Sequence, residues 1–136
     1  MSAELVFQKG LRSRLVATPA VTALVPAASI LDRNERPNPD PSIVIGEGVS
    51  VDDGGTIGRT RTRIVADLHV WKREPSTAGC KAIAGAIRAT VKAGRLALDS
   101  GFHCVDAYVS RTRFLRDSDG LTSHAVVTVE AIIEEV

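Results

Sequence analysis

The spacing of apolar residues along the chain predicts a succession of amphipathic elements that begins with a helix over 2–16. One stripe of that helix carries its large apolar residues, Phe7, Leu11 and Leu15. Thr18 followed by Pro19 predicts the start of a second, short helix, because proline is favoured at the first helical position. This helix must end before Pro26, and a short strand is expected at 29–31.

Two turn-rich loops flank the next apolar segment. The prolines of "NERPNPDP" alternate and impose an extended loop; they are Pro37, Pro39 and Pro41. "SIVIGEG", residues 42–48, predicts a brief strand. The segment 49–58 predicts an exposed, mobile hairpin connection because of its turn formers, Asp52, Asp53, Gly54, Gly55 and Gly58.

A long strand is predicted from 60 to about 72, where apolar and polar residues alternate with period two. The face predicted to be inward carries Ile64, Ala66, Leu68 and Val70. The other face carries Arg61, Arg63, Asp67, His69 and Trp71. The only tryptophan therefore lies on the polar face of its strand.

A third helix follows this strand. Pro75 and the Ser76-Thr77 pair predict its start, and Gly94 predicts its end in a left-handed cap. Its apolar stripe, suited to covering a sheet, consists of Cys80, Ile83, Ala84, Ile87 and Val91. Small residues on the rest of its surface admit a close approach of another backbone; they are Ala78, Ala82, Gly85, Ala86 and Ala89.

The last part of the chain predicts a hairpin with its turn at 117–120, "DSDG". The first arm, 102–116, is expected to point Val105, Ala107 and Val109 inward and Asp106, Tyr108, Ser110 and Thr112 outward. The return arm places Ala125, Val127, Val129, Ala131 and Ile133 inward and His124, Thr128 and Glu130 outward. Because each long strand is apolar on one face only, we predict an α+β fold, a mostly antiparallel sheet with helices packed on one face.

Composition limits the classes of function. With 136 residues and 44% hydrophobic content, the chain suits a single domain over 1–136. A net charge of +1 argues against a dedicated nucleic-acid binder. The two cysteines, Cys80 and Cys104, are expected to be buried free thiols. No segment reads as a signal peptide or a membrane span, which predicts synthesis in the cytoplasm with no membrane partner.

Candidate catalytic chemistry is sparse. Asp67 with His69, or His124 with Glu130, share a face and fit an orienting carboxylate with a base. A solvated polar face explains the same residues without a nucleophile or an oxyanion site, and we favour that interpretation. "GGTIGR" lacks the ending of a phosphate loop. We therefore predict no catalytic residues, no cofactor and no metal, and a small hydrolase or ligand-binding module stays as a distant alternative.

Two features point to contact with other molecules. Arg59, Arg61 and Arg63 alternate, which predicts three guanidinium groups on one side of a strand, facing an acidic partner, passing DNA or solvent. Trp71 on the polar face must be covered by a loop of its own chain or by a partner. Tryptophan is common at interface hot spots, so a subunit interface is one of these two alternatives.

Several segments in this order resemble the tail-completion family of long-tailed phages, also called tail terminators, which occur in phage-like gene transfer agents too. They are "SAELVFQKGLRSRL", "VTALV", "VIGEG", "LHVWKRE", "AGCKAIAGAIRATV" and "FLRDSDGLTSHAVVTVEAIIEE". The resemblance covers nearly the whole chain. It implies a tail-terminator-like fold and a structural virion protein, not an enzyme.

The resemblance also implies an assembly. Family members form a ring, typically hexameric, at the head-proximal end of the tail tube. The ring stops tube polymerisation and joins the tail to the head connector. The implied partners are therefore copies of the chain, the tube protein, the connector or stopper protein, and DNA that crosses the lumen without specific binding. The implied location is the tail or neck of a virion assembled in the bacterial cytoplasm, and a head-closure or connector neck protein is the nearest alternative.

We infer the contact residues from geometry, because the family motif does not define them. A closed ring uses two different patches of each subunit. We expect Trp71, His69 and Tyr108 to contribute to one patch. The loop from Asp52 to Gly58, including Asp53 and Thr56, is expected to reach the tube or the connector and to order on assembly. The arginines at 59, 61 and 63 are expected to pair with acidic neighbours or to line the lumen.

Overall fold

The computed structural model describes residues 2–32 and 38–136, and in these residues five strands form one sheet. The elements in chain order are α1 (Ala3–Val16), α2 (Pro19–Thr22), a 3-10 turn (Ala27–Ser29), β1 (Ile30–Leu31), β2 (Ser42–Asp52), β3 (Arg61–Arg73), α3 (Ala78–Lys92), β4 (Phe102–Arg116) and β5 (Thr122–Glu135). The predicted order of helices and strands is confirmed. Pro37 of the predicted proline loop lies outside the described residues.

The sheet is mixed but mostly antiparallel. Its strand order is β1-β2-β3-β5-β4. Within the described residues the one parallel pair joins the short β1 to β2, while the β2–β3, β3–β5 and β4–β5 pairs are antiparallel. The α+β prediction, with helices on one face of such a sheet, is therefore confirmed.

One core lies between the helices and the inward face of the sheet. The inward residues of β3 and β5 follow the predicted alternation and are buried: Ile64, Ala66, Leu68, Val70, Ala125, Val127, Val129, Ala131 and Ile133. They pack in one cluster with the stripe of α1 and with the predicted stripe of α3, Cys80, Ile83, Ala84, Ile87 and Val91. Within the described residues, no helix is long and apolar enough to span a membrane.

The start of α3 differs from the expected cap. Thr77 occupies the N-cap position but accepts no side-chain hydrogen bond. The Glu74 carboxylate instead accepts the backbone N–H of Gly79 at 2.8 Å and of Cys80 at 2.9 Å. Ser123 on β5 donates its hydroxyl to the same carboxylate. The helix is thus capped from outside its own first turn and tied to the sheet.

The predicted left-handed cap at Gly94 is wrong. Glycines with positive φ in the described chain are Gly54, Gly101 and Gly120. The guanidinium of Arg14 on α1 donates to the carbonyl oxygens of Thr90, Gly94 and Arg95. A tertiary contact therefore supplies the donors that a left-handed glycine motif would otherwise provide.

The predicted boundary of β2 is also wrong. The strand continues to Asp52 instead of ending at 48, and a register shift lies between Ile45 and Gly48. Residues 46–52 are exposed, so they are held by pairing with β3 and not by burial. Their polar and glycine-rich composition resembles a loop because no buried face selects apolar residues there.

Register shifts also change the alternation along β4. They lie between Cys104 and Asp106 and between Val109 and Arg111, so that one residue at each place is extra. Thr112 consequently stands opposite the inward-facing Val127, and its predicted outward orientation is wrong. Bulges are not visible in the apolar pattern, because the residue that resets the alternation has no characteristic type here.

Candidate interaction surface

The outer face of the sheet, which points away from the helices, carries most residues that the sequence assigned to contacts. Strand β3 contributes Arg61, Arg63, Asp67, His69 and Trp71. Strand β5 contributes His124, Thr128 and Glu130, and β4 contributes Tyr108, Arg111 and Arg113. His69 and Trp71 lie together near one end. Tyr108 lies level with Val65 of β3, about 20 Å from Trp71 along the strand direction.

Trp71 is covered in part by a neighbouring strand. It stands opposite His124 on β5, and the two rings stack with centroids 3.7 Å apart and an interplanar angle of 9°. The indole is left half-buried. From the sequence, we expected a loop of the same chain or a partner to cover the indole. The imidazole of His124, on a neighbouring strand, covers part of it instead.

Glu47, His69 and His124 form a chain of hydrogen bonds across three strands. His69 Nε2 lies 3.0 Å from Glu47 Oε1, and His69 Nδ1 lies 2.9 Å from His124 Nε2. The pKa of His124 is lowered to about 4, mainly by burial and secondly by the nearby His69. His124 is therefore neutral near pH 7. The pKa of Glu47 lies below its usual value because of its own backbone N–H and the His69 imidazole.

The predicted arginine stripe has a different arrangement. Arg61 and Arg63 lie on β3 and pair with acidic residues of β5, with Arg61 to Glu134 at 3.4 Å and Arg63 to Glu130 at 3.0 Å. Arg59 is not on the strand: it has a φ of 56° in the loop and pairs with Asp52 at 2.7 Å. The expectation of three guanidinium groups on one side of a strand is thus wrong for Arg59.

Two other arginines carry no such pair. Arg111 and Arg113 on β4 are exposed, and neither guanidinium forms an ion pair or hydrogen bond with the described part of the chain. Sequence reasoning missed them, although "SRTRF" alternates like the earlier arginine segment. The difference is that β5 presents Thr128 and Val126 opposite them, whereas Arg61 stands opposite Glu134 and Arg63 reaches Glu130 diagonally across the strand pair.

The loop between β2 and β3 is closed by its own hydrogen bonds. Asp53 donates its N–H to the Arg61 carbonyl at 3.1 Å. The hydroxyls of Thr56 and Thr60 lie 3.1 Å apart, and Thr56 also accepts the Thr60 N–H at 3.0 Å. Ile57 at the tip is fully exposed. The loop that was expected to order on assembly therefore has a defined shape with one apolar side chain at its tip.

In the two carboxylate–histidine pairs considered for catalysis, Asp67 with His69 and Glu130 with His124, the carboxylate does not hydrogen-bond to the histidine. Asp67 accepts the Thr128 hydroxyl at 2.6 Å, and Glu130 binds Arg63. His69 contacts Glu47 and His124 instead. Among residues 2–32 and 38–136, no group of three or more His, Cys, Asp or Glu side chains is arranged to hold a metal. The outer face thus offers stacking, charge and strand edges for contact.

Comparison with known proteins gives one family and one fold. A family model described as tail completion protein gp17 matches residues 9–134. A chain in the virion of a native gene transfer agent particle has a similar structure, with a TM-score of 0.85 and 18% identity, over 98% of this chain and 98% of that chain. The gp17 protein of bacteriophage SPP1 is similar with a TM-score of 0.64 and 20% identity, over 95% of this chain and 89% of that chain. No curated protein matches the sequence.

Proposed function

Because this chain belongs to the tail completion protein gp17 family and is a structural protein of a phage-type tail, we propose that it forms the ring that ends the tail tube. The ring, of six copies, sits at the head-proximal end of the tube. It stops further addition of tube subunits and presents the surface that meets the head connector or stopper protein. DNA crosses its lumen without specific binding, and the chain carries out no catalysis.

The family match over 9–134 is the observation that carries this proposal. The surface of the lone chain supports it. Large apolar side chains are exposed at both ends of the sheet: Val49, Val51 and Ile57 near the β2–β3 loop, and Phe114, Leu115 and Leu121 at the β4–β5 turn. Exposed apolar groups that cluster in this way are typical of interaction sites.

The inferred contact residues fall into three groups with different roles in the assembly. Trp71 and His69 form one end of the outer face and contribute, with Tyr108, to contacts inside the assembly. The loop with Asp52, Asp53 and Thr56 extends beyond the core and reaches the tube or the connector through Ile57. The pairs that Arg59, Arg61 and Arg63 make within the chain keep that end of the sheet rigid.

We also propose that residues 1–136 act as one tail-completion domain, assembled into the particle in the bacterial cytoplasm.

The test is the mass of the purified chain in solution with and without cognate tail tubes, combined with electron microscopy of the mixture. We expect a ring at one end of the tubes, and loss of that ring when Trp71→Ala removes the stacked indole. Binding to filled heads in preference to tubes would instead favour a head-closure protein. A monomer that binds neither tubes nor heads would refute the proposal.

A further inference from the structure

The sheet has two free edges of unlike length and charge. Strand β1 pairs with β2 only at Ile43 and Val44, so within the described chain the stretch from Gly46 to Asp52 has no outer neighbour. Strand β4 is the opposite edge and is unpaired on its outer side along all of Phe102–Arg116 in the same described residues. Free backbone donors and acceptors on such edges are templates for pairing with another strand.

The direction of the strands makes the two edges compatible. Each step from β2 to β3, from β3 to β5 and from β5 to β4 reverses the chain direction. Strand β4 therefore runs opposite to β2 of the same chain. A rotation about an axis roughly along the strands preserves these directions, so β4 of one copy would meet β2 of the next copy antiparallel, which gives the better hydrogen-bond geometry.

The charges of the two edges also favour pairing of β4 with β2 of another copy. Strand β4 contains Arg111, Arg113 and Arg116 with Asp106 as its only acidic residue. Strand β2 contains Glu47 and Asp52 and no basic residue. Pairing β4 with β4 would bring arginines together, and pairing β2 with β2 would bring carboxylates together. Only the unlike pairing is complementary, and unlike patches lead to a ring when the rotation closes.

The register within the sheet identifies one specific contact. Arg111 stands opposite Thr128, which stands opposite Asp67. Asp67 is level with the register shift between Ile45 and Gly48, which contains Glu47. Glu47 and Arg111 therefore occupy the same row of the sheet at its two edges. A join without stagger between copies places them side by side on the outer face.

We propose that adjacent copies join edge to edge, with the stretch from Gly46 to Asp52 of one copy pairing antiparallel with β4 of the next and Glu47 beside Arg111. This inference rests on the proposed ring and identifies the two patches that close it. The contact between Glu47 and His69 holds the carboxylate on the outer face before assembly. Arg111, whose guanidinium has no partner among the described residues, is the group that receives it.

Disulfide trapping tests the register directly. Opposite residues of antiparallel strands have Cα atoms about 4.5–5.5 Å apart, within the span of a disulfide. The native Cys80 and Cys104 are buried and form no disulfide. The double variant Glu47→Cys with Arg111→Cys, oxidised on tail tubes, should give a ladder of covalent oligomers that ends at the ring. An equal mixture of the two single variants should give covalent dimers only.

Charge exchange provides a second, independent measurement. Arg111→Glu alone should raise the concentration needed for half-maximal ring formation by about tenfold or more, since it places like charges together. Glu47→Arg alone should act in the same direction. The double exchange should restore most of the lost assembly. Lys92→Glu, an exposed charge reversal on α3 at the helix side of the sheet, is the matched control and should leave assembly unchanged.

The outcomes separate this inference from the proposed function. Rings that form on tubes, but give no ladder when Glu47→Cys is combined with a cysteine at 108, 111 or 113, the outward positions of this part of β4, would overturn the edge-to-edge join and leave the ring intact. Trapping at 108 or 113 in place of 111 would support the join and overturn the unstaggered register. Absence of any ring on tubes would refute both proposals together.

Discussion

Replacing Glu74 should cost far more stability than replacing Thr77, the residue at the formal N-cap position of α3. Its carboxylate accepts two backbone N–H groups of the helix start, from Gly79 and Cys80, and the hydroxyl of Ser123. Hydrogen bonds to a charged group contribute roughly 1.5–3 kcal/mol each. Because Glu74 is only half-buried, we use the lower end of that range for each of its bonds. Because the bonds share one acceptor and water replaces part of the loss, we expect Glu74→Ala to lower the free energy of unfolding by about 3 kcal/mol.

The assay is urea unfolding followed by circular dichroism. With an m-value of about 1.5–2 kcal/mol/M for a domain of this size, the midpoint should fall by roughly 1.5–2 M. The control is Thr77→Ala, which removes the formal N-cap residue but no side-chain hydrogen bond, and should cost about 0.5 kcal/mol or less. Equal effects of the two substitutions would refute the assignment of Glu74 as the cap.

The same carboxylate gives a pH test. Burial by itself would raise the pKa of Glu74, but the hydrogen bonds from Ser123, Gly79 and Cys80 outweigh it and lower the pKa below 4.5. A lowered folded-state pKa contributes stability above the unfolded-state value, and this contribution is lost as the pH falls through the folded-state value. Glu74→Gln should therefore lose less stability than the wild-type chain when the pH is lowered below about 4.5.

Three further measurements test other parts of the structure. Leu68→Ala empties a fully buried position and should cost about 3 kcal/mol in urea unfolding, whereas a loss below about 1 kcal/mol would contradict its place in the core. Stability should fall as the pH falls from 6.5 toward 4, because burial lowers the pKa of His124 in the folded chain from its ordinary value of 6.5 to about 4. His124→Phe keeps a ring on Trp71 and should flatten that dependence. Gly120→Ala, at a φ of 68°, should lower the melting temperature by an amount equivalent to about 1 kcal/mol, while Gly85→Ala on the open side of α3 should raise it. A gain in stability from Gly120→Ala would show that the turn does not require a left-handed conformation at this position.

The elements with one buried face were predictable from the sequence. Strand β3 alternates over its whole length, and every residue from Ile64 to Val70 that was expected inward is buried. The stripes of α1 and α3 were predicted for the same reason, since burial selects apolar residues with the period of the element. The turn at 117–120 also followed from local chemistry, and Gly120 takes the positive φ that such a turn favours.

The errors fall where a residue outside the predicted segment supplies the partner. Residues 49–52 look like a loop but pair with β3. Gly94 looks like a helix cap, but Arg14 from α1 satisfies the carbonyl oxygens there. Thr77 looks like an N-cap, but Glu74 performs that role. In each case the local residues permit the predicted structure, and a hydrogen bond to a residue outside the segment makes another one more stable.

The outer face divides in the same way. The sequence by itself determined that Trp71, His69 and the arginines of β3 share a polar face, because alternation depends only on the geometry of one strand. Only the tertiary structure decided what each of them meets: His124 stacks on Trp71 because β5 lies beside β3, and acids of β5 neutralise Arg61 and Arg63. It also placed Arg111 on an edge strand, with no ion-pair partner in residues 2–32 and 38–136. The edge position of a strand follows from the order of all the strands and not from the residues of any one of them.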